Sequence, residues 1–257
     1  MDTADVPPRP TGPPSPPRRA HTGLLAGGLA VVLAVAIGVA LAVHDDDGDG
    51  GQNWPAHRTY GFRAADTGTV VLDGVSGTVQ ITADPDARAV TGNYHRADGK
   101  PAALHGSTSG GALTLDCADD SGGPQSCAGT LVLVVPRHTG LRMRQTSGVA
   151  VLDGLGGDIR LDGSSLQLTT RDLRPSYADV TVVSGSADLG FAAAPADLAV
   201  HASSASVAVH LPHTADGYAV TTAAASADVQ VQVPNDPSAA HRVALTVTSG
   251  SLAVQNT

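Results

Sequence analysis

Aromatic side chains are nearly missing from this 257-residue chain, at 3% of the residues. Sugar-binding surfaces commonly stack rings on aromatic faces. Here Trp54, Tyr60, Phe62, Tyr94, Tyr177, Phe191 and Tyr218 are scattered along the sequence, and nothing in their spacing supports such a platform. Cations are scarce as well, with 15 Lys and Arg against 24 acidic residues, a net charge of -9, and Lys100 as the sole lysine. A protein that grips a phosphate backbone needs a clustered basic surface to displace counterions, so nucleic acid is excluded as a partner. Cysteine occurs twice, which is too few for a zinc site built from closely spaced thiolates. There is no Gly-x-Ser-x-Gly elbow to mark an activated serine, and no glycine-rich nonapeptide of a calcium-loaded roll. Arg in place of Lys, together with abundant Ala, Gly, Asp and Val, points to a GC-rich bacterial genome.

One long apolar run is present. Leu24 to Val43, LLAGGLAVVLAVAIGVALAV, carries no charge over 20 residues. At about 1.5 Å per helical residue it matches the roughly 30 Å hydrocarbon core of a bilayer, and it has no polar face such as a soluble helix would show. The expected organisation is a transmembrane helix over 23–43, behind a disordered proline-rich tail over 1–22 and ahead of a flexible acidic linker over 44–58. Arg9, Arg18 and Arg19 precede the run, so the positive-inside bias puts the N-terminus in the cytoplasm and residues 59–257 outside the plasma membrane. Ala40-Leu41-Ala42 also fits a signal-peptidase site, and cleavage after Ala42 is the alternative to an anchor. Ala26, Ala30, Ala34, Gly38 and Ala42 form a small-residue ladder of the kind that lets helices approach closely. In the linker, Asp45, Asp47, Asp49 and Gly50 imitate the start of an EF-hand loop, but its twelfth position is Ala56 instead of a bidentate Glu.

From Tyr60 onward, short runs of alternating Val, Leu, Ile and Thr are separated by Ser-Gly, Asp-Gly and proline. Four C-terminal units align on small-residue corners: Ser184-Gly185, Ser204-Ala205, Ser226-Ala227 and Ser249-Gly250, spaced 20, 22 and 23 residues apart. Apolar or small residues recur at alternate positions on both flanks. In the second unit these are Leu198, Val200 and Ala202, then Val207, Val209 and Leu211. Period-two alternation predicts strands with one buried and one wet face. Looser echoes follow Ser76-Gly77, Ser109-Gly110-Gly111, Gly156-Gly157 and Gly163-Ser164. The fold class expected is all-β: a repeat-built parallel β-solenoid, in which each unit is one coil. The alternative is an antiparallel β-sandwich in which each Ser-Gly is a hairpin turn, so that Val247 faces Leu252 and Leu245 faces Val254.

Candidate chemistry is sparse. Cys117 and Cys127 enclose the turn-rich ADDSGGPQS, and outside the cytosol such a pair is expected to form a structural disulfide. His201 and His210 alternate with the inward residues and should face solvent. Asp73, Asp153, Asp162 and Asp216 each precede glycine and read as turn residues before acids. No catalytic, cofactor-binding or metal-ligating residue is assigned.

The region from about Thr59 to Asn256 resembles a bacterial "putative adhesin" family of β-strand-repeat domains, a domain of unknown function often found behind a single membrane anchor. The resemblance rests on the Cys-bounded loop running into Leu131-Val132-Leu133-Val134-Val135-Pro136, on Thr146-Ser147-Gly148-Val149, and on the later repeats of the Ser-Gly-x-Val-x-Val type, in which Ala205 and Ala227 replace the glycine of the motif. It implies an all-β repeat fold and a cell-envelope location, and it supplies no catalytic residues. The expected function is a non-enzymatic, membrane-anchored surface module that engages an envelope polymer or surface protein. A polysaccharide-active β-helix enzyme and an envelope sensor are the alternatives.

Overall fold

A computed structural model describes residues 59–97, 104–117 and 127–257. The expected tail, transmembrane run and linker lie outside the described residues, as does the segment between the two cysteines. Among the described residues no helix is long and apolar enough to cross a membrane, and the named elements are all strands. They are β1 (Thr59–Ala65), β2 (Thr69–Asp73), β3 (Val75–Asp84), β4 (Ala89–Arg96), β5 (Leu104–Ser109), β6 (Ala112–Cys117), β7 (Cys127–Pro136), β8 (Gly140–Asp153), β9 (Ile159–Leu173), β10 (Tyr177–Phe191), β11 (Asp197–Leu211), β12 (Ala219–Val231) and β13 (Arg242–Asn256). They form one mixed, unclosed sheet of 13 strands.

The alternation read from sequence sets which side chains are inside. In β10 the buried residues are Ala178, Val180 and Val182, then Ala187, Leu189 and Phe191. In β11 and β13 the equivalent positions are buried as well, from Leu198 to Leu211 and from Val243 to Val254. Taking a Val, Leu or Phe fully out of water contributes about 1.5 to 3 kcal/mol, so these columns are the main favourable term in the fold.

The small-residue corners of the C-terminal units are not hairpin turns. Each lies inside one long strand, and that strand runs parallel and in register with its neighbours. Val247 stands beside Ala202 and Ala224, and Leu252 beside Val207 and Val229. The facing of Val247 with Leu252 and of Leu245 with Val254 is therefore overturned. Ser109-Gly110-Gly111 does make a hairpin, joining β5 to β6 antiparallel. Its Gly110 and Gly111 adopt φ of +57° and +77°, the left-handed conformation that a tight reversal needs. Gly156-Gly157 and Gly163-Ser164, two separate echoes in the sequence, belong to one unit, since Ile159, Leu161, Leu166 and Leu168 all lie in β9.

Near the start of the chain the same long unit is divided in two. β2 pairs with the first part of β8 and β3 with the second, the break falling at Gly74 (φ +74°). β6 pairs β2 and β7 pairs β3, so β6 and β7 together make the next rung. Antiparallel strands cover that rung: β5 on β6, β4 on β7, and β1 beyond β4.

Spatial order departs from chain order at both ends. β6 and β7 lie outside β2 and β3, and β13 lies between β11 and β12. The corner column gives this order a steric correlate. From β8 outward it reads Gly148, Leu166, Gly185, Ala205, Gly250, Ala227. Glycine at positive φ alternates with a residue that carries a side chain, and a Cβ on Gly185 or Gly250 would strike the carbonyl oxygen of Leu166 or Ala205. Chain order would instead set Ala205 beside Ala227.

Gly185→Ala and Gly250→Ala should each lower unfolding free energy by about 1 to 3 kcal/mol, the cost of a forced left-handed residue against backbone. Ser186→Ala, on the exposed face, should stay within about 0.5 kcal/mol in the same urea titrations.

Candidate interaction surface

The outward positions of the parallel strands stand in rows across the sheet, about 4.8 Å from strand to strand. On the stretch before the corner, one row runs Val71, Arg142, Arg160, Asp179 and the next runs Asp73, Arg144, Asp162, Thr181, His201. Arg142 and Arg160 are therefore like charges on adjacent strands, a placement that disfavours the bare sheet. Arg160 is held from its other side: Nε lies 3.5 Å from Asp179 Oδ2, and Nη2 donates to the Tyr177 hydroxyl, which donates to Asp179. Arg142, Arg144, Arg160, Asp73 and Asp162 border an open depression of about 200 Å³. A second, of about 410 Å³, lies among Pro85, Arg88, Pro136, Arg137 and His138.

Side-chain polar contacts tie neighbouring strands elsewhere. The Arg242 guanidinium donates to both Asp197 carboxylate oxygens, at 2.6 and 3.1 Å, joining β13 to β11. That fork holds the Asp197 carboxyl below the ordinary carboxylate range. Beyond the corner, His210 Nε2 lies 3.1 Å from Asp188 Oδ1, and its Nδ1 lies 3.1 Å from the Gln255 amide nitrogen. With Nε2 protonated and Nδ1 accepting, both contacts are satisfied by a neutral ring.

The corner serines have a structural task. Ser184 Oγ donates to the Ser164 carbonyl at 2.8 Å and Ser249 Oγ to the Ser203 carbonyl at 3.0 Å, each reaching the adjacent strand at the bend. Ser184 and Ser165 hydroxyls are 3.1 Å apart, and those of Ser204 and Ser249 3.2 Å. A hydroxyl on so short a stem can reach a neighbouring carbonyl where the bend would leave it open.

His201 is exposed and His210 partly so, in line with their expected outward facing. Asp73, Asp153 and Asp216 end at glycines of φ +74°, +71° and +69°, as turn residues should. Asp162 does not: it lies within β9, on the charged row, and the following Gly163 is small because the Leu166 side chain occupies the space its Cβ would need. Cys117 and Cys127 form a disulfide with Cα atoms 5.7 Å apart. It sits where β6 gives way to β7, at the break that corresponds to Gly74 between β2 and β3. Gln145 was not singled out by the sequence. It is buried in the inward column of β8, donating to the carbonyls of Gly77 and Ser147 at 3.1 Å, while its Oε1 meets no partner. Among the described residues no group of three or more His, Cys, Asp or Glu is arranged to hold a metal ion.

No family model matches the chain, and no curated protein matches it. Among solved structures it is similar to a "putative cell adhesion protein" from Clostridium sporogenes, at 10% identity over 77% of this chain and 100% of that one, with a TM-score of 0.47. It is also similar to a "putative adhesin" from Bacteroides fragilis, at 14% identity over 77% of this chain and 96% of that one, TM-score 0.47. A third is a "putative lipid binding protein" from Parabacteroides distasonis, at 10% identity over 77% and 96%, TM-score 0.32.

Two stability measurements follow. The disulfide closes a loop whose constraint is worth about 2 to 3 kcal/mol in the chain-entropy model, so Cys117→Ser with Cys127→Ser should lower unfolding free energy by that amount in urea. Asp153 is the pH probe. Burial, and then the Asp172 carboxylate, raise its carboxyl above the ordinary range, with Arg171 opposing. The folded chain thus binds this proton more tightly than the unfolded one. The stability it contributes is full below an ordinary pKa of about 3.9 and is lost as pH rises through the raised value. Asp153→Asn should accordingly raise the melting temperature at pH 7 and leave it unchanged at pH 3.

Proposed function

We propose that this chain is a single-pass, membrane-anchored protein of a bacterial cell envelope, with a short β-solenoid outside the plasma membrane acting as a non-enzymatic, adhesin-like module. The ladder from β8 to β13 supports the stacked-coil reading, since each long strand carries both flanks of one sequence unit. Export is supported by the Cys117–Cys127 disulfide, because such bonds persist in oxidising compartments. Anchoring is supported by the uncharged length of Leu24 to Val43.

The observation that carries the interaction reading is the charged row. Arg142 and Arg160 stand on adjacent strands with Arg144 beside them, all three exposed. Asp179 already holds Arg160 and Arg144 stands between Asp73 and Asp162, so the place for an anion is beside Arg142, where it relieves the repulsion from Arg160; guanidinium forks suit carboxylate and phosphate oxygens. An anionic envelope polymer would meet such groups along its length. The module binds and positions; it breaks no bond.

Protease treatment of intact cells, followed by blots for both termini, should remove the C-terminal epitope and spare the N-terminal one. Digestion of the C-terminal epitope only after lysis would reverse the topology. Full-length protein should sediment with isolated, protein-stripped envelopes. The triple variant Arg142→Glu, Arg144→Glu, Arg160→Glu should lose most of that retention with an unchanged circular dichroism spectrum, and undiminished retention would refute the charged row as the contact.

A further inference from the structure

The two ends of the strand stack are finished differently. At one end β5 and β4 lie antiparallel on the outermost rung. At the other end is β12, which pairs only with β13 among the described residues. Sheet edges are ordinarily blunted by lysine, proline, a bulge or short length, because open amides and carbonyls recruit another strand. β12 reads AVTTAAASADVQV, which is 13 residues with no lysine or proline and one charge, at Asp228. Its would-be core residues are the least buried of any long unit: Val220, Ala227 and Val229 are partly covered, Ala224 is exposed, and Val231 is 37% exposed.

Which amides face outward follows from the ladder. Ala219 N–H donates to the His241 carbonyl with Ala219 beside Arg242, so residues 219, 221 and 223 serve β13 while 220, 222 and 224 face away. Beyond the corner, Gln232 N–H donates to the Val254 carbonyl with Val231 beside Val254, so the outward set becomes 227, 229 and 231. The first outward amide, that of Val220, is met by Asn235 Oδ1 at 3.0 Å, and the Pro234–Asp236 turn covers Tyr218 beside it. From Thr222 onward no other strand among the described residues lies along this edge.

These positions are symmetric about the corner. A twofold axis between Ala225 and Ser226 sets Thr222 opposite Val229 of a second copy and Ala224 opposite Ala227 of that copy. In an antiparallel ladder, residues whose amides point at one another must stand directly opposite, and every one of these does. The same operation continues each inward apolar column into the copy. It sets Asp228 opposite Ala223, so the only charge on the strand does not meet its own image. We propose that β12 is a self-complementary edge on which a second copy of this chain docks, antiparallel and corner to corner, as β4 and β5 do within the chain at the opposite end. This goes beyond the envelope-interaction reading and uses a different surface.

Full-length protein in detergent provides the test. Ala223→Cys with Asp228→Cys should yield a disulfide-linked dimer on mild oxidation, because outward side chains at a non-hydrogen-bonded antiparallel pair come close enough to bridge. Thr221→Cys with Asp228→Cys, one pair out of register, should not. Thr222→Pro removes an amide that β13 does not use, so it should abolish dimer formation in sedimentation while leaving the melting temperature unchanged. A dimer that survives Thr222→Pro, or crosslinks equally in both registers, overturns the proposal. It is equally overturned by a monomer with these cysteines shielded from thiol reagent, which would place another segment of the chain on the edge, or by an adduct whose mass is not twice the chain.

Discussion

Stacking parallel strands through a shared bend is the constraint on which this molecule depends. A strand that turns a corner in register with its neighbours brings backbone against backbone at the bend, where Gly148, Gly185 and Gly250 take φ of +128°, +112° and +108°. The residues between them, Leu166 and Ala205, send buried side chains inward. From β8 to β13 one glycine per two rungs leaves room for one side chain per two rungs, whereas across β8, β3 and β7 the corner is glycine on every rung, at Gly148, Gly77 and Gly129. The corner serines complete the arrangement by donating hydroxyl protons to carbonyls on the strand next door.

The ends of the stack obey a different logic from its middle. Within β8 to β11, successive units simply lie on one another, and contact between sequence neighbours suffices. At each end the chain passes over a rung and returns to fill it, so that strands as far apart as Ala202 and Val247 become neighbours. The disulfide belongs to the first of these ends, where a covalent bond joins the last residue of β6 to the first of β7. Closing the loop beforehand removes entropy that the bend would otherwise have to overcome.

What remains for chemistry is a set of outward rows. They are regularly spaced and mix arginine, aspartate and small polar residues with an occasional valine, and their depressions are open rather than enclosed. The inward core and the outward rows come from the same alternation, so a change of register by one residue would exchange them entirely.

The strand content, the inward faces of β10, β11 and β13, the solvent exposure of His201 and the pairing of Cys117 with Cys127 were legible in the sequence, because period-two alternation and the isolation of two cysteines are local facts; the same alternation in β12 does not bury Thr222, Ala224 or Val231, because that strand has a neighbour on one side only among the described residues. Asp162 was misread for the same reason. An Asp-Gly pair looks like a turn until a leucine three residues on is seen to fill the glycine's space. Gln145 gave no signal, since a single polar residue in an apolar column is visible only once the column exists. Whether a Ser-Gly corner reverses the chain or merely bends it, and which rung lies beside which, were decided by tertiary structure alone. The inward residues of the units are nearly interchangeable valines, leucines and alanines, so burial hardly distinguishes one stacking order from another. At the bend the observed order sets Gly250 between Ala205 and Ala227, where chain order would set the two alanines side by side.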